Sequence, residues 1–240
     1  MGKQLRSQRR GKGSFTFMAT KKGRSDVKYL RTGQTGSAGV LRGQLLELQT
    51  DAGRSAVLAR VVFENGEESQ MIAAEGMREG QRVEMGPAAS IEVGNVLPLK
   101  SIPEGCPIFA IEKTAQDGGT VVRAAGVYAV LMSKTEKEGF VKLSSGSTVS
   151  FPLSGRATIG CVAAGGRGEK PMVKAGTKFH LMKARRRHYP GIRGVAQNAV
   201  DHPFGGSQHH AGKSKSTSRH APPGRKVGAI ASSRTGRRKR

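Results

Sequence analysis

Apolar residues recur in short, turn-bounded runs between residues 40 and 162 and almost nowhere else. Val40–Leu48 and Ala56–Phe63 are strand candidates, the second rich in β-branched Val57, Val61 and Val62. Asn65-Gly66 between two such runs is a strong hairpin signal and calls for φ > 0 at both turn positions. Ser69–Ala73 returns, and Gln81–Met85 and Ala89–Val93 follow glycine-marked turns. This many short strands in so short a span predict a small closed barrel of the OB type over residues 36–92.

The style repeats over residues 93–162. Strands are predicted at Ile108–Glu112, Val121–Ala124, Val127–Met132, Phe140–Leu143, Thr148–Phe151 and Ala157–Val162. Asp117-Gly118-Gly119, Glu138-Gly139 and Ser145-Gly146 mark the turns, and Pro98, Pro103 and Pro107 mark the entrance to this second small barrel. Outside the two barrels the pattern fails. Residues 1–35 read as an extended arm without an apolar stripe. In residues 163–240 only Lys178–Arg187 reads as helix, ended by Tyr189-Pro190. The fold class is therefore all-β, two barrels with extended terminal arms and little helix.

Charge follows the same divisions. Residues 1–35 carry ten Lys/Arg and one acid, residues 36–153 eleven against fourteen, and residues 154–240 twenty against two. A near-neutral body thus lies between cationic arms. Such arms bind polyanions by releasing condensed counterions, and nucleic acid is the commonest partner. They lack the apolar face that a membrane surface would reward. The N-terminus has no apolar signal stretch, and no run approaches 18 apolar residues, so the chain is expected to be cytosolic. Cys106 and Cys161, far apart and without metal-ligand spacing, are expected to be reduced and buried. With three Tyr, eight Phe and no Trp, base-stacking platforms of the RRM kind are not expected, and phosphate contacts should dominate.

Enzyme signatures fail. The Gly212-Lys213-Ser214 end of one string lacks the glycine a P-loop needs at Ser207, and no strand precedes it. His209, His210 and His220 lack a fourth zinc ligand, and no Ser/His/Asp set sits on a strand-turn-helix elbow. No cofactor and no metal are expected. An RNA-modifying enzyme and a nonspecific DNA binder remain the competing readings.

The most specific string is Arg193-Gly194-Val195-Ala196-Gln197-Asn198-Ala199-Val200-Asp201-His202-Pro203-Phe204-Gly205-Gly206. Its glycines and short polar side chains can bring backbone close to a phosphate ridge. It resembles the signature loop of the universal large-subunit ribosomal protein L2 family in its archaeal/eukaryotic form. The resemblance extends to Gln8-Arg9-Arg10-Gly11-Lys12-Gly13, the interdomain run Asn95–Gly105, Gly155–Gly160, Lys170–Gly176 and Ala221–Gly228, and so covers nearly the whole chain. Gln197, where the family commonly has Met, and Ser207, which interrupts its glycine run, are departures.

The resemblance implies an OB-like barrel, an SH3-like barrel and a long extension. It also implies a structural constituent of the large subunit in the cytoplasmic ribosome, near the peptidyl-transferase centre. Large-subunit rRNA and neighbouring ribosomal proteins are the implied partners, with a contact to the small subunit and neither membrane nor small-molecule substrate. Resemblance and charge together mark Arg9, Arg10, Lys12, Arg54, Arg156, Lys174, Lys178, Lys183, Arg185, Arg186, Arg193, Arg225 and Lys226 as rRNA-binding, with Asn198, Asp201 and His202 in the loop. His202 beside Asp201 invites a proton-relay reading, but an RNA-contacting or loop-stabilising role is preferred, because sequence neighbours need not face one another.

Overall fold

The computed structural model describes residues 2–18, 24–31, 39–206 and 215–233. The His209-His210 pair and Gly212-Lys213-Ser214 lie outside them. The chain forms two compact units, one of residues 21–171 and one that combines residues 1–20 with 172–240.

The first unit is almost entirely β-sheet. Its strands are β1 Leu41–Thr50, β2 Val57–Phe63, β3 Glu68–Ile72, β4 Arg82–Met85, β5 Val96–Pro98, β6 Pro107–Phe109, β7 Ala129–Lys134, β8 Glu138–Lys142, β9 Thr148–Pro152 and β10 Arg156–Ile159. They pair in the order β3-β2-β1-β4-β5-β10-β6-β7-β8-β9. Hydrogen bonds beyond the named strands add two ties to this ladder. After β3, the Ala163 N–H donates to Ala73 O and the Glu75 N–H to Cys161 O, tying the end of β3 to the chain after β10. After β5, the Leu99 N–H donates to Gly155 O and the Lys100 N–H to Leu153 O, tying β5 to the chain after β9. The first tie brings β3 and β10, the two ends of the β3-β2-β1-β4-β5-β10 run, together, and the second continues the β5–β10 pairing beyond Pro98 and Arg156.

The sheet carries two apolar cores. Leu45, Leu58, Val61, Val83, Met85 and Phe109 belong to the first, and Leu99, Ile102, Ile108, Leu131, Val141 and Phe151 to the second. The alternation along β1 makes this possible: Leu41, Gly43 and Leu45 are buried while Arg42 and Gln44 are exposed. A bulge at Leu46 then lets Leu45 point inward and its apolar neighbour outward.

Several boundaries differ from the sequence reading. The 64–66 hairpin has a three-residue loop: the Phe63 N–H bonds Glu67 O, and only Gly66 takes positive φ, at 78°. That is a type I turn closed by a left-handed glycine, so Asn65 needs no unusual conformation. Ala89–Val93 is not a strand, and Ile91 and Val93 are exposed; the strand expected there is β5, slightly later in the chain. Ala110 and Val122 take φ values of 49° and 58°, which break the predicted Ile108–Glu112 and Val121–Ala124 strands and leave an isolated bridge between Ile111 and Val121. Both cysteines are free, but they are half-buried rather than buried.

The other unit holds α1 (Arg6–Gly11), α2 (Ala175–Ala184) and a short parallel pair, β11 (Ser216–Thr217) and β12 (Ala229–Ile230). The helix predicted at Lys178–Arg187 lies three residues earlier, and α1 interrupts the arm predicted to be extended. Neither helix buries a residue. Among the described residues, every buried apolar side chain except Leu5 lies between Val27 and Val162.

Candidate nucleic-acid interface

The basic unit places its cations outward. Arg9, Arg10 and Lys12 are exposed on and just after α1, with both arginines in its last turn, where a cation suits the helix dipole. The α1 start is closed by Gln8, whose Oε1 accepts the Leu5 N–H at 2.8 Å. Lys174, Lys178 and Lys183 are exposed before and along α2, and Arg185 is exposed just beyond it. α2 carries no acid in its first turn and no apolar stripe, so packing does not explain its sequence. Arg225 and Lys226 are exposed on a turn in which both N–H groups donate to Pro222 O.

The 193–206 loop is a compact knot. The Asp201 and His202 N–H groups both donate to Asn198 O, and the Gly206 N–H donates to Gln197 O. A Cβ on Gly205 would lie 2.4 Å from the carbonyl oxygens of Gln197 and Asn198, and one on Gly194 would lie 2.3 Å from the His202 ring. Only glycine fits at either place. The His202 Nδ1 accepts the Phe204 N–H at 3.1 Å, and the two rings lie 5.0 Å apart. With Nδ1 accepting, the proton of a neutral ring sits on Nε2. Asp201 faces the Lys3 ammonium at 3.8 Å instead of orienting His202. The knot leaves Arg193 and Asn198 exposed at its surface.

The cored unit contributes a second basic feature. Arg24, Ser25, Asp26, Val27, Lys28, Arg54, Asp117, Thr120 and Arg123 line a hollow of about 410 Å³. Arg54 is held by Asp51 at 2.7 Å and by Ser25 O at 2.6 Å. Burial works to raise the Asp51 carboxyl, but the Gly53 N–H and the Arg54 guanidinium outweigh it and hold the group below the usual range. Arg123 donates to Val27 O at 2.7 Å while its Nε is buried without a hydrogen-bond partner. Burial, then the charges of Arg54 and Arg24, lower its pKa. Asp51 pairs with Arg54 and Asp26 offsets part of the charge on Arg123, and the guanidinium charge left over in the hollow favours an anion. The sequence reading named Arg54 but not Arg24 or Arg123. Nothing in a linear pattern marks residues 24, 54 and 123 as neighbours.

Arg156 does something other than what was expected. It is only 4% exposed. Its Nη2 donates to the buried Glu112 at 2.7 Å, its Nη1 donates to Leu30 O at 2.6 Å, and the guanidinium lies 5.3 Å from the Tyr29 ring centroid. Glu112 also accepts the Arg156 and Gly118 N–H groups. Tyr29 Oη bonds Ala110 O at 2.8 Å and Thr158 Oγ1 at 2.6 Å, and burial raises its pKa strongly. Arg156 therefore pins β10 to the 110–118 segment from within and presents no charge to a ligand. It carries a structural ion pair, because a buried guanidinium must be matched by a buried carboxylate.

Residues 92–226 match the family model described as Ribosomal Proteins L2, C-terminal domain, and residues 2–85 match that of Ribosomal Proteins L2, RNA binding N-terminal domain. The chain is 49% identical over 242 residues to the large ribosomal subunit protein uL2 of Methanocaldococcus jannaschii, covering 100% of both chains. It is 46% identical over 241 residues to that of Methanothermobacter thermautotrophicus, again over 100% of both. For Methanococcus aeolicus the identity is 47% over 240 residues, covering 99% of this chain and 100% of the relative.

Proposed function

The chain belongs to the ribosomal protein L2 family, and from that premise we propose that it is an rRNA-binding structural constituent of the large ribosomal subunit in the cytoplasm. The cored unit docks on folded rRNA, with the Arg24/Arg54/Arg123 hollow seating a phosphate. The basic unit follows the RNA between helices and neutralises its backbone. Arg9, Arg10, Lys12, Lys174, Lys178, Lys183, Arg185, Arg186, Arg193, Arg225 and Lys226 supply the charge. Asn198 and the knot held by His202 and Asp201 present backbone and amide to sugar or base edges. We assign the barrels as residues 36–92, OB-like, and 93–162, SH3-like, with neighbouring ribosomal proteins as further partners.

The observation that carries this reading is the separation of charge from core. Residues 1–20 and 172–240 hold 22 Lys/Arg against a single acid, Asp201, and among their described residues only Leu5 is a buried apolar side chain. A chain of that composition has too little apolar area to offset its ordering entropy, whereas a polyanion supplies the missing energy. The proton-relay reading of His202 loses its orienting acid, because Asp201 is turned to Lys3.

The test is affinity for large-subunit rRNA against random RNA duplex and DNA across a salt series. Neutralising about ten phosphates predicts a log–log slope on the order of −7 to −9 together with preference for the rRNA. Equal affinity for DNA and rRNA at matched ionic strength would replace the reading with a generic polyanion binder.

A further inference from the structure

The two helices of the basic unit end in the same way but with different residues. α1 is followed by Lys12 and then Gly13, which takes φ 65° and donates its N–H to Arg10 O. α2 is followed by Arg185 and then Arg186, which takes φ 52°; the Arg186 N–H donates to Lys183 O and the Arg187 N–H to Met182 O. This second set is a Schellman ending, whose left-handed position normally belongs to glycine because any Cβ is unfavourable there. Strain kept in place by a charged side chain points to a use for that side chain.

The guanidinium of Arg186 lies over the Phe15 ring at 5.0 Å from its centroid. Phe15 is 71% exposed, so it joins no core. It sits in a tight turn in which the Phe17 and Met18 N–H groups both donate to Ser14 O. Phe17 in the same turn has Arg6 over its ring at 5.8 Å. An aromatic ring held by a cation on one side and left open to solvent is a surface prepared for a second flat partner. In a unit this basic, the flat partner that also brings negative charge is a nucleotide.

We propose that Phe15 and Arg186 form a seat for one unpaired RNA base, which stacks on the open face of Phe15. The inference rests on the rRNA-binding reading and adds a base contact to what is otherwise phosphate recognition. It is a single stacking seat, not the multi-base platform of the RRM kind that the few aromatics of this chain argue against.

Stacking and phosphate contacts differ in their salt signature, because only the latter release counterions. In binding of the full chain to a transcript of archaeal large-subunit rRNA, Phe15→Ala and Phe15→Leu should each lower affinity about tenfold. The log–log salt slope should not change, and Phe15→Trp should bind at least as well as the native chain. Arg186→Gly relieves the backbone strain, so the unfolding midpoint should not fall while affinity does. If the two residues build one seat, the loss in the Phe15→Ala/Arg186→Gly double variant should be smaller than the product of the single losses. Native-like binding by Phe15→Leu, or single losses that multiply independently, would overturn the proposal and leave rRNA binding intact. A native chain with no preference for rRNA would overturn both.

Discussion

The two units answer the same physical problem in opposite ways. The cored unit has 19 Lys/Arg against 16 acids and folds one ten-stranded sheet around two apolar clusters. The basic unit has 22 against one, and its described residues surround no core. Outside the Arg24/Arg54/Arg123 hollow, the first balances bases with nearly as many acids, down to the buried Glu112–Arg156 pair at 2.7 Å. The second leaves them for something outside. Stability therefore rests on the cored unit and most of the binding charge on the basic one, and a substitution in the basic unit should disturb binding rather than stability.

Breaking the buried pair is the largest expected effect. Glu112→Ala strands the Arg156 guanidinium and frees the Gly118 N–H, and it should destabilise the fold by about 3–5 kcal/mol. Thermal or denaturant unfolding of the free protein measures this directly. A loss well under about 1 kcal/mol would mean that water reaches Arg156 and that the pair is no pin. On the other side of the comparison, Arg225→Ala should change unfolding by no more than about 0.5 kcal/mol. It should reduce the log–log salt slope of rRNA binding by about 0.7–0.9, one phosphate's worth. A large fall in the unfolding midpoint would show that the basic unit has structural interactions of its own.

Sequence and structure agree best where one residue type has one physical use. Alternating apolar runs bounded by turns marked β1–β3 and β7–β9 to within two or three residues, because inward and outward positions on a pleated strand differ in solvent exposure. Disagreements arise where long-range contacts decide. Arg156 reads as one more cation beside the basic tail, and only Glu112, 44 positions earlier, makes it a core residue. Arg24 and Arg123 were missed for the same reason. The hydrogen bonds that join 73–75 to 161–163 and 99–100 to 153–155 link segments that no local pattern connects. In the 193–206 loop the family string could be read from the sequence. Its packing, with Gly194 beneath the His202 ring and Gly205 beneath the Gln197 and Asn198 carbonyls, could not.

The claim that one unit stands on its own core while the other takes its order from RNA is tested most directly by amide hydrogen exchange, on the free protein and on its complex with large-subunit rRNA. The account predicts strong protection of β1–β10 in both states. Residues 2–18 and 172–206 should be protected only in the complex. Strong protection of those residues in the free protein would contradict it.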